Sequence, residues 1–231
     1  VEKLFLELGL QTKIATSGNS RPAVLAQTEI NPDRKTVLLY AHHDVQPVGD
    51  INKWETDPFN PEIINGRLFG RGSGDNKAGV VIHHEVVKEL MKDLPVNIKI
   101  FIEGEEEIGS PCMAEFLDEF NKELEADVIV IADSGNIRIG TPTVTTSLRG
   151  LVDGFIEVDQ PMRPVHSGVG GGVVPDAFMV LSKIIASFHN EKGELQIEGL
   201  TSSDMDVLEL KEEEIKKIFG SEDINLFELD S

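Results

Sequence analysis

Residues 36–44, Thr36-Val37-Leu38-Leu39-Tyr40-Ala41-His42-His43-Asp44, place a histidine and an acid directly behind a short apolar run. A run of this kind, brief, β-branched and lacking a helical period, reads as a buried strand over 37–41 with His42 at its C-terminal end. Two other segments repeat the arrangement: 97–103 is followed by Glu105-Glu106-Glu107, and 128–132 by Asp133. Residues 79–91 read as a helix. Ser110-Pro111 reads as the start of another, running to about Leu124, with a capping residue followed by proline at the first helical position. This alternation predicts an α/β fold, a mostly parallel sheet flanked by helices. Sites in such sheets form at the C-terminal ends of strands. His42, Glu106, Glu107 and Asp133 are all expected there.

Beyond about residue 145 the pattern changes. Residues 154–159 alternate like a strand, 168–172 form a loop with many glycines, and 176–188 read as an amphipathic helix. Lys192-Gly193 reads as a turn and 211–219 as a charged helix. These features predict the start of a second, α+β domain. No internal repeat or low-complexity linker separates it from the first.

Composition narrows the function. The 231 residues carry a net charge of −20, which makes nucleic acid and anionic membranes poor partners. The single cysteine, Cys112, excludes an internal disulfide and fits a reducing, cytoplasmic setting. No apolar run approaches the length of a membrane span, and no signal peptide is visible. The chain starts at Val1 rather than Met, so its natural start is expected upstream.

The acids and histidine at the strand ends are the residue types that a two-metal hydrolase needs, with a spare carboxylate as base. In His42-x-Asp44 both side chains point the same way on an extended backbone, so the acid can accept the imidazole N–H and fix the ligating tautomer. Gly70-Arg71-Gly72-Ser73-Gly74-Asp75-Asn76-Lys77-Ala78-Gly79 lacks the spacing of a phosphate loop. Its glycines suit a tight turn around Asp75 instead. Glu105–Glu107 alone would be a solvated patch, but its place behind an apolar strand directs at least one acid into the strand-end cleft. His83-His84-Glu85 has no second histidine at the spacing of a zinc helix and reads as helix surface; His189 reads as part of a polar turn.

Taken together, these segments resemble the M20 metallopeptidases, a family of carboxypeptidases, aminoacylases, deacylases and dipeptidases. YAHHDVQPVGD resembles its H-x-D-V-x-P element, and residues 54–79 its W-x-x-x-P-F…G-R-G-x-x-D-x-K-G stretch. EGEEEIGS resembles E-E-x-G-S, and IADSGN the acidic second-metal element. SLRG and PVHSGVGGGVVPDAF resemble the junction and the H-S-G element of an inserted lid. The V-Q-P and H-S-G-V-x-G-G forms look most like the dipeptidase branch.

The resemblance implies a zinc-peptidase-like catalytic domain over 1–146, in its N-terminal part, and an incomplete lid and dimerisation domain over 147–231. It implies a metal held by His42 and Asp133, with Asp75 bridging to a second metal ligated by Glu107. Glu106 would be the general base, Asp44 the partner of His42, and His166 an oxyanion donor from the lid, reaching across a homodimer. The metal would be Zn2+, two per complete site, with Mn2+ or Co2+ as substitutes. The Asp75–Asn76 peptide bond would be cis. The substrate would be a small peptide or N-acyl amino acid.

One departure stands out. The second metal's last ligand in the family is a histidine near the C-terminus, and no histidine follows His189 here. The expectation is a truncated chain of a dipeptidase-like enzyme. An N-acyl amino acid deacylase of the acetylornithine deacetylase/desuccinylase type and a non-catalytic metal-binding protein are the alternatives.

Overall fold

In the computed structural model, residues 1–136, 140–146, 148, 150–159, 163, 165–200 and 213 are described. The chain divides into two units, Val1–Gly135 and Asn136–Ser231.

The first unit runs α1 (Glu2–Glu7), β1 (Gln11–Ala15), β2 (Ala23–Gln27), β3 (Thr36–His42), β4 (Glu62–Ile64), β5 (Arg67–Phe69) and α2 (Lys77–Leu90). It continues with β6 (Asn97–Glu103), α3 (Met113–Glu119), α4 (Asn121–Leu124) and β7 (Val128–Ile131). Five strands form one sheet in the order β1-β2-β6-β3-β7, while β4 and β5 make a separate hairpin. The three strands expected from the sequence are neighbours and run parallel, β6–β3–β7. Strands β1 and β2 add an antiparallel flank. β1 is an edge strand exposed along most of its length, and the apolar run of β2 is only four residues, two of them alanines, which have little strand preference.

Alternating side chains divide between two faces. Val24, Ala26, Leu39, Ala41, Ile98, Ile100 and Ile102 pack with Phe5 of α1 and with Val80 and Val87 of α2. On the other face Leu25, Leu38 and Phe101 pack with Phe116, Phe120 and Leu124 of α3 and α4. Phe101 stacks on Phe116 with ring centroids 5.2 Å apart. A one-residue slip of β3 or β6 would exchange these faces, so burial on both sides fixes the register. That register pairs His42 with Glu103 and Tyr40 with Ile131, which brings the C-terminal ends of β3, β6 and β7 to one level.

The helix expected from Ser110 starts later and breaks in two. Ser110 itself has a left-handed backbone (φ 50°) directly after Gly109 (φ 83°), and its carbonyl accepts the Met113 N–H at 3.0 Å. Two left-handed residues turn the chain out of the β6 loop, so helical geometry begins at Met113 and Ser110 does not cap it by its side chain.

In the second unit, α5 (Ser167–Gly170) and α6 (Ala177–Ala186) are the named helices among the described residues. Helix α6 lies inside the expected 176–188, capped by the Asp176 carboxylate, which accepts the Met179 N–H at 2.9 Å. The expected turn near Lys192 closes a bridge between His189 and Leu195. The loop expected over 168–172 begins inside α5. The strand expected over 154–159 is not formed: 151–159 carry neither helix nor strand. In-out alternation marks a segment able to join a sheet but does not supply the neighbouring edge that would ladder with it. The charged helix expected over 211–219 lies, apart from Glu213, outside the described residues. Among the described residues no helix is long and apolar enough to cross a membrane.

Candidate metal centre

His42 closes β3 with no exposed side-chain surface. Its Nδ1 lies 3.1 Å from the backbone oxygen of Asp44 and 3.2 Å from Asp44 Oδ1. Both neighbours are acceptors, so the proton belongs on Nδ1 and the Nε2 lone pair faces the cleft. Around Nε2 stand Asp75 Oδ1 at 3.0 Å, Glu106 Oε2 at 3.7 Å and Asp133 Oδ1 at 3.8 Å. One ligand atom each from His42, Asp75 and Asp133 falls within 4.8 Å of the others.

The electrostatics fit a cation. Burial works against a charged His42, yet Asp133, Asp75, Glu106 and Asp44 together outweigh it and push the imidazole above its usual range. Glu106 is pushed up by burial, then by Asp133, Glu107 and Asp75, with His42 opposing. Crowded acids that draw a proton to the one imidazole among them would hold a divalent ion in the proton's place. An imidazole nitrogen with carboxylate oxygens is a donor set suited to Zn2+, Mn2+ or Co2+.

The acid pair Glu106-Glu107 lies on a turn rather than on an extended segment. Glu106–Ile108 forms a single 3-10 turn, closed by left-handed Gly109. That turn rotates successive side chains by about a third of a circle rather than half. Glu106 therefore faces His42, while the Glu107 carboxylate accepts the Gln46 backbone N–H at 3.3 Å and its side-chain amide at 2.8 Å. Asp44 ties the two together, since its Oδ2 accepts the Glu107 N–H at 3.0 Å. Glu107 is not in the group of potential ligands that the structure brings together among the described residues.

Asp75 comes from the glycine loop between β5 and α2. Gly72 there has φ +80°, and the Asp75–Asn76 bond is cis, as the resemblance implied. Asn76, which sequence reasoning passed over, is buried and bonds to both neighbouring strand ends. The Lys77 ammonium donates to the His43 carbonyl at 3.3 Å, and burial lowers its pKa against the pull of Asp44. Gly79 lets α2 approach the end of β7. A Cβ there would be driven into the Ala132 carbonyl oxygen and stand 2.5 Å from Asn76 Oδ1. Gly79→Ala should therefore cost about 1–3 kcal/mol in denaturant unfolding, as overpacked sites do. Unchanged stability would show that the helix can shift freely.

His83 corrects a second expectation. It is buried rather than on the helix surface, donates from Nε2 to the Tyr40 carbonyl at 2.8 Å, and burial lowers its pKa. The exposed apolar residues Val81, Ile82 and Val86 beside it blur the stripe that would have marked its side as inward. His166, in the second unit, accepts the Gly168 N–H at 3.1 Å through Nδ1.

Imidazole and carboxylates gathered at the ends of adjacent parallel strands form a group that could hold a metal ion in an α/β fold. The chain matches the model of Peptidase family M20/M25/M40 over residues 38–227, and it belongs to that family. It is 38% identical over 200 residues to a cysteinylglycine-S-conjugate dipeptidase of Corynebacterium striatum, with 85% of this chain and 44% of the relative covered. It is 35% identical over 199 residues to the human Beta-Ala-His dipeptidase, with 84% of this chain and 39% of the relative covered. The chain thus spans less than half the length of either. Among solved structures, an M20 family metallo-carboxypeptidase from Sulfolobus solfataricus superposes with a TM-score of 0.73 at 26% identity, covering 97% of this chain and 54% of that one.

Proposed function

We propose that this sequence forms part of a metal-dependent hydrolase of dipeptides. The observation that carries the reading is the meeting of His42, Asp75 and Asp133 with Glu106 beside them at the strand ends. The names of the relatives, dipeptidases in both cases, support the dipeptide as substrate over an N-acyl amino acid.

The chemistry that a divalent cation supplies at such a centre is acidification of a water molecule and polarisation of the scissile carbonyl. His42, Asp75 and Asp133 would hold it, with Zn2+ favoured and Mn2+ or Co2+ as substitutes, and Glu107 would serve a second. Glu106 Oε2 would take a proton from the attacking water and return it to the departing amine. Asp44 would keep the His42 proton on Nδ1. His166 would act as the oxyanion donor, with residues 1–146 as the catalytic part and 147–231 as a lid through which two copies associate. The single cysteine supports a cytoplasmic setting.

Metal analysis of the purified 231-residue chain should find one divalent ion per chain, and Asp75→Asn or Asp133→Asn should abolish it. Two tightly held ions would place Glu107 in a complete second site, and none would sink the reading.

A further inference from the structure

We infer that Asn76 is a positioning residue of this centre, whose carboxamide holds the His42 and Asp133 strand ends at ligating distance. The inference rests on the metal-binding reading above and assigns a role to a residue outside the ligand set.

Asn76 precedes α2 at the N-cap position, where asparagine ordinarily accepts a hydrogen bond from the first turn of the helix. Here its side chain makes no such cap. The hydrogen bonds of its side chain go to the site instead. Oδ1 accepts the His42 backbone N–H at 3.3 Å, and Nδ2 donates to the Ala132 carbonyl at 2.6 Å and to Asp133 Oδ1 at 2.8 Å. The Asp133 oxygen it engages is the one 3.8 Å from His42 Nε2. A single buried amide therefore joins the ends of β3 and β7, and the residue before it in the chain is Asp75. Helix α2 can come close enough to place it only because position 79 is glycine. The amide matches the acceptors it meets: an N–H pair for a carbonyl and a carboxylate, a carbonyl for an N–H. Without it, Asp133 would be free to rotate, and ordering it on a cation would cost side-chain entropy.

The test is titration of the metal-free 231-residue chain with Co2+ alone, reading the visible absorption of the bound ion and the affinity. Asn76→Ala should weaken Co2+ binding by about 10–100-fold, as loss of groups that orient metal ligands does, and should alter the spectrum. Asn76→Asp keeps the shape and the acceptor for His42 but loses both donors and sets a carboxylate against Asp133. It should also bind Co2+ more weakly than the parent. Val87→Ala, a core truncation in α2 away from the centre, should lower the unfolding midpoint while leaving affinity and spectrum unchanged. Parent-like affinity and spectrum in both Asn76 variants would overturn the inference, as would tighter binding by Asn76→Asp, which would mean that net charge rather than geometry sets affinity. Failure of the parent chain to take up Co2+ would overturn the metal reading and the inference together.

Discussion

Glu106→Gln is expected to leave metal in place and, in a full-length version of the protein, to slow the proposed dipeptide hydrolysis by about 10²–10⁴-fold, the usual contribution of a positioned general base. The amide keeps the size and the 3-10 turn geometry of the glutamate but cannot accept a proton. Glu106 suits the role because its environment raises its proton affinity: burial comes first, followed by the charges of Asp133, Glu107 and Asp75. It stands 3.7 Å from His42 Nε2, beside the trio rather than within it. Metal content by elemental analysis and turnover should therefore separate cleanly. Loss of metal with the rate would show that Glu106 is a ligand and that its role has been exchanged with that of Glu107.

His42→Ala should lose the metal altogether and unfold more easily, by about 3 kcal/mol or more in denaturant titration of the metal-free chain. Two effects add. The fully buried ring leaves a cavity at the end of β3, and Asp44 Oδ1, itself buried and without a hydrogen bond of good geometry, loses the imidazole 3.2 Å away. His42→Asn would separate the two roles. Its amide can donate toward Asp44 but is a poor ligand, so part of the stability should return while metal binding does not. A metal-free His42→Ala chain as stable as the parent would show that the Asp44–His42 contact contributes nothing to the fold.

Much of the centre was legible in the chain because its ligands sit at the ends of strands with strong apolar signatures. β6 spans the residues its apolar run marks, β3 exceeds its run by one residue at each end, and β7 falls one residue short at its C-terminal end. Burial of β6 and of much of β3 leaves little choice of composition, so the run and the polar residue behind it are local facts; β7 carries the same apolar run although its four residues are exposed. The N-terminal strands β1 and β2 were not legible. β2 pairs with β6 and β1 with β2, which depends on an edge that exists only once the parallel core has formed.

Local sequence also determined the residue types available for metal, the position of α2, and the turn-forming glycines before Asp75. It could not determine which acid faces which partner. Glu106 and Glu107 are chemically alike and adjacent, and only the 3-10 turn after β6 aims one at His42 and the other at Gln46. Nor could it show that His83 is buried or that Asn76 gives up its helix to bind two strand ends. Those outcomes depend on parallel register, which brings residues 34 and 57 positions apart from Asn76 within hydrogen-bond range. Side-chain partners across a sheet are set by the packing of both its faces at once, and no single segment contains that information.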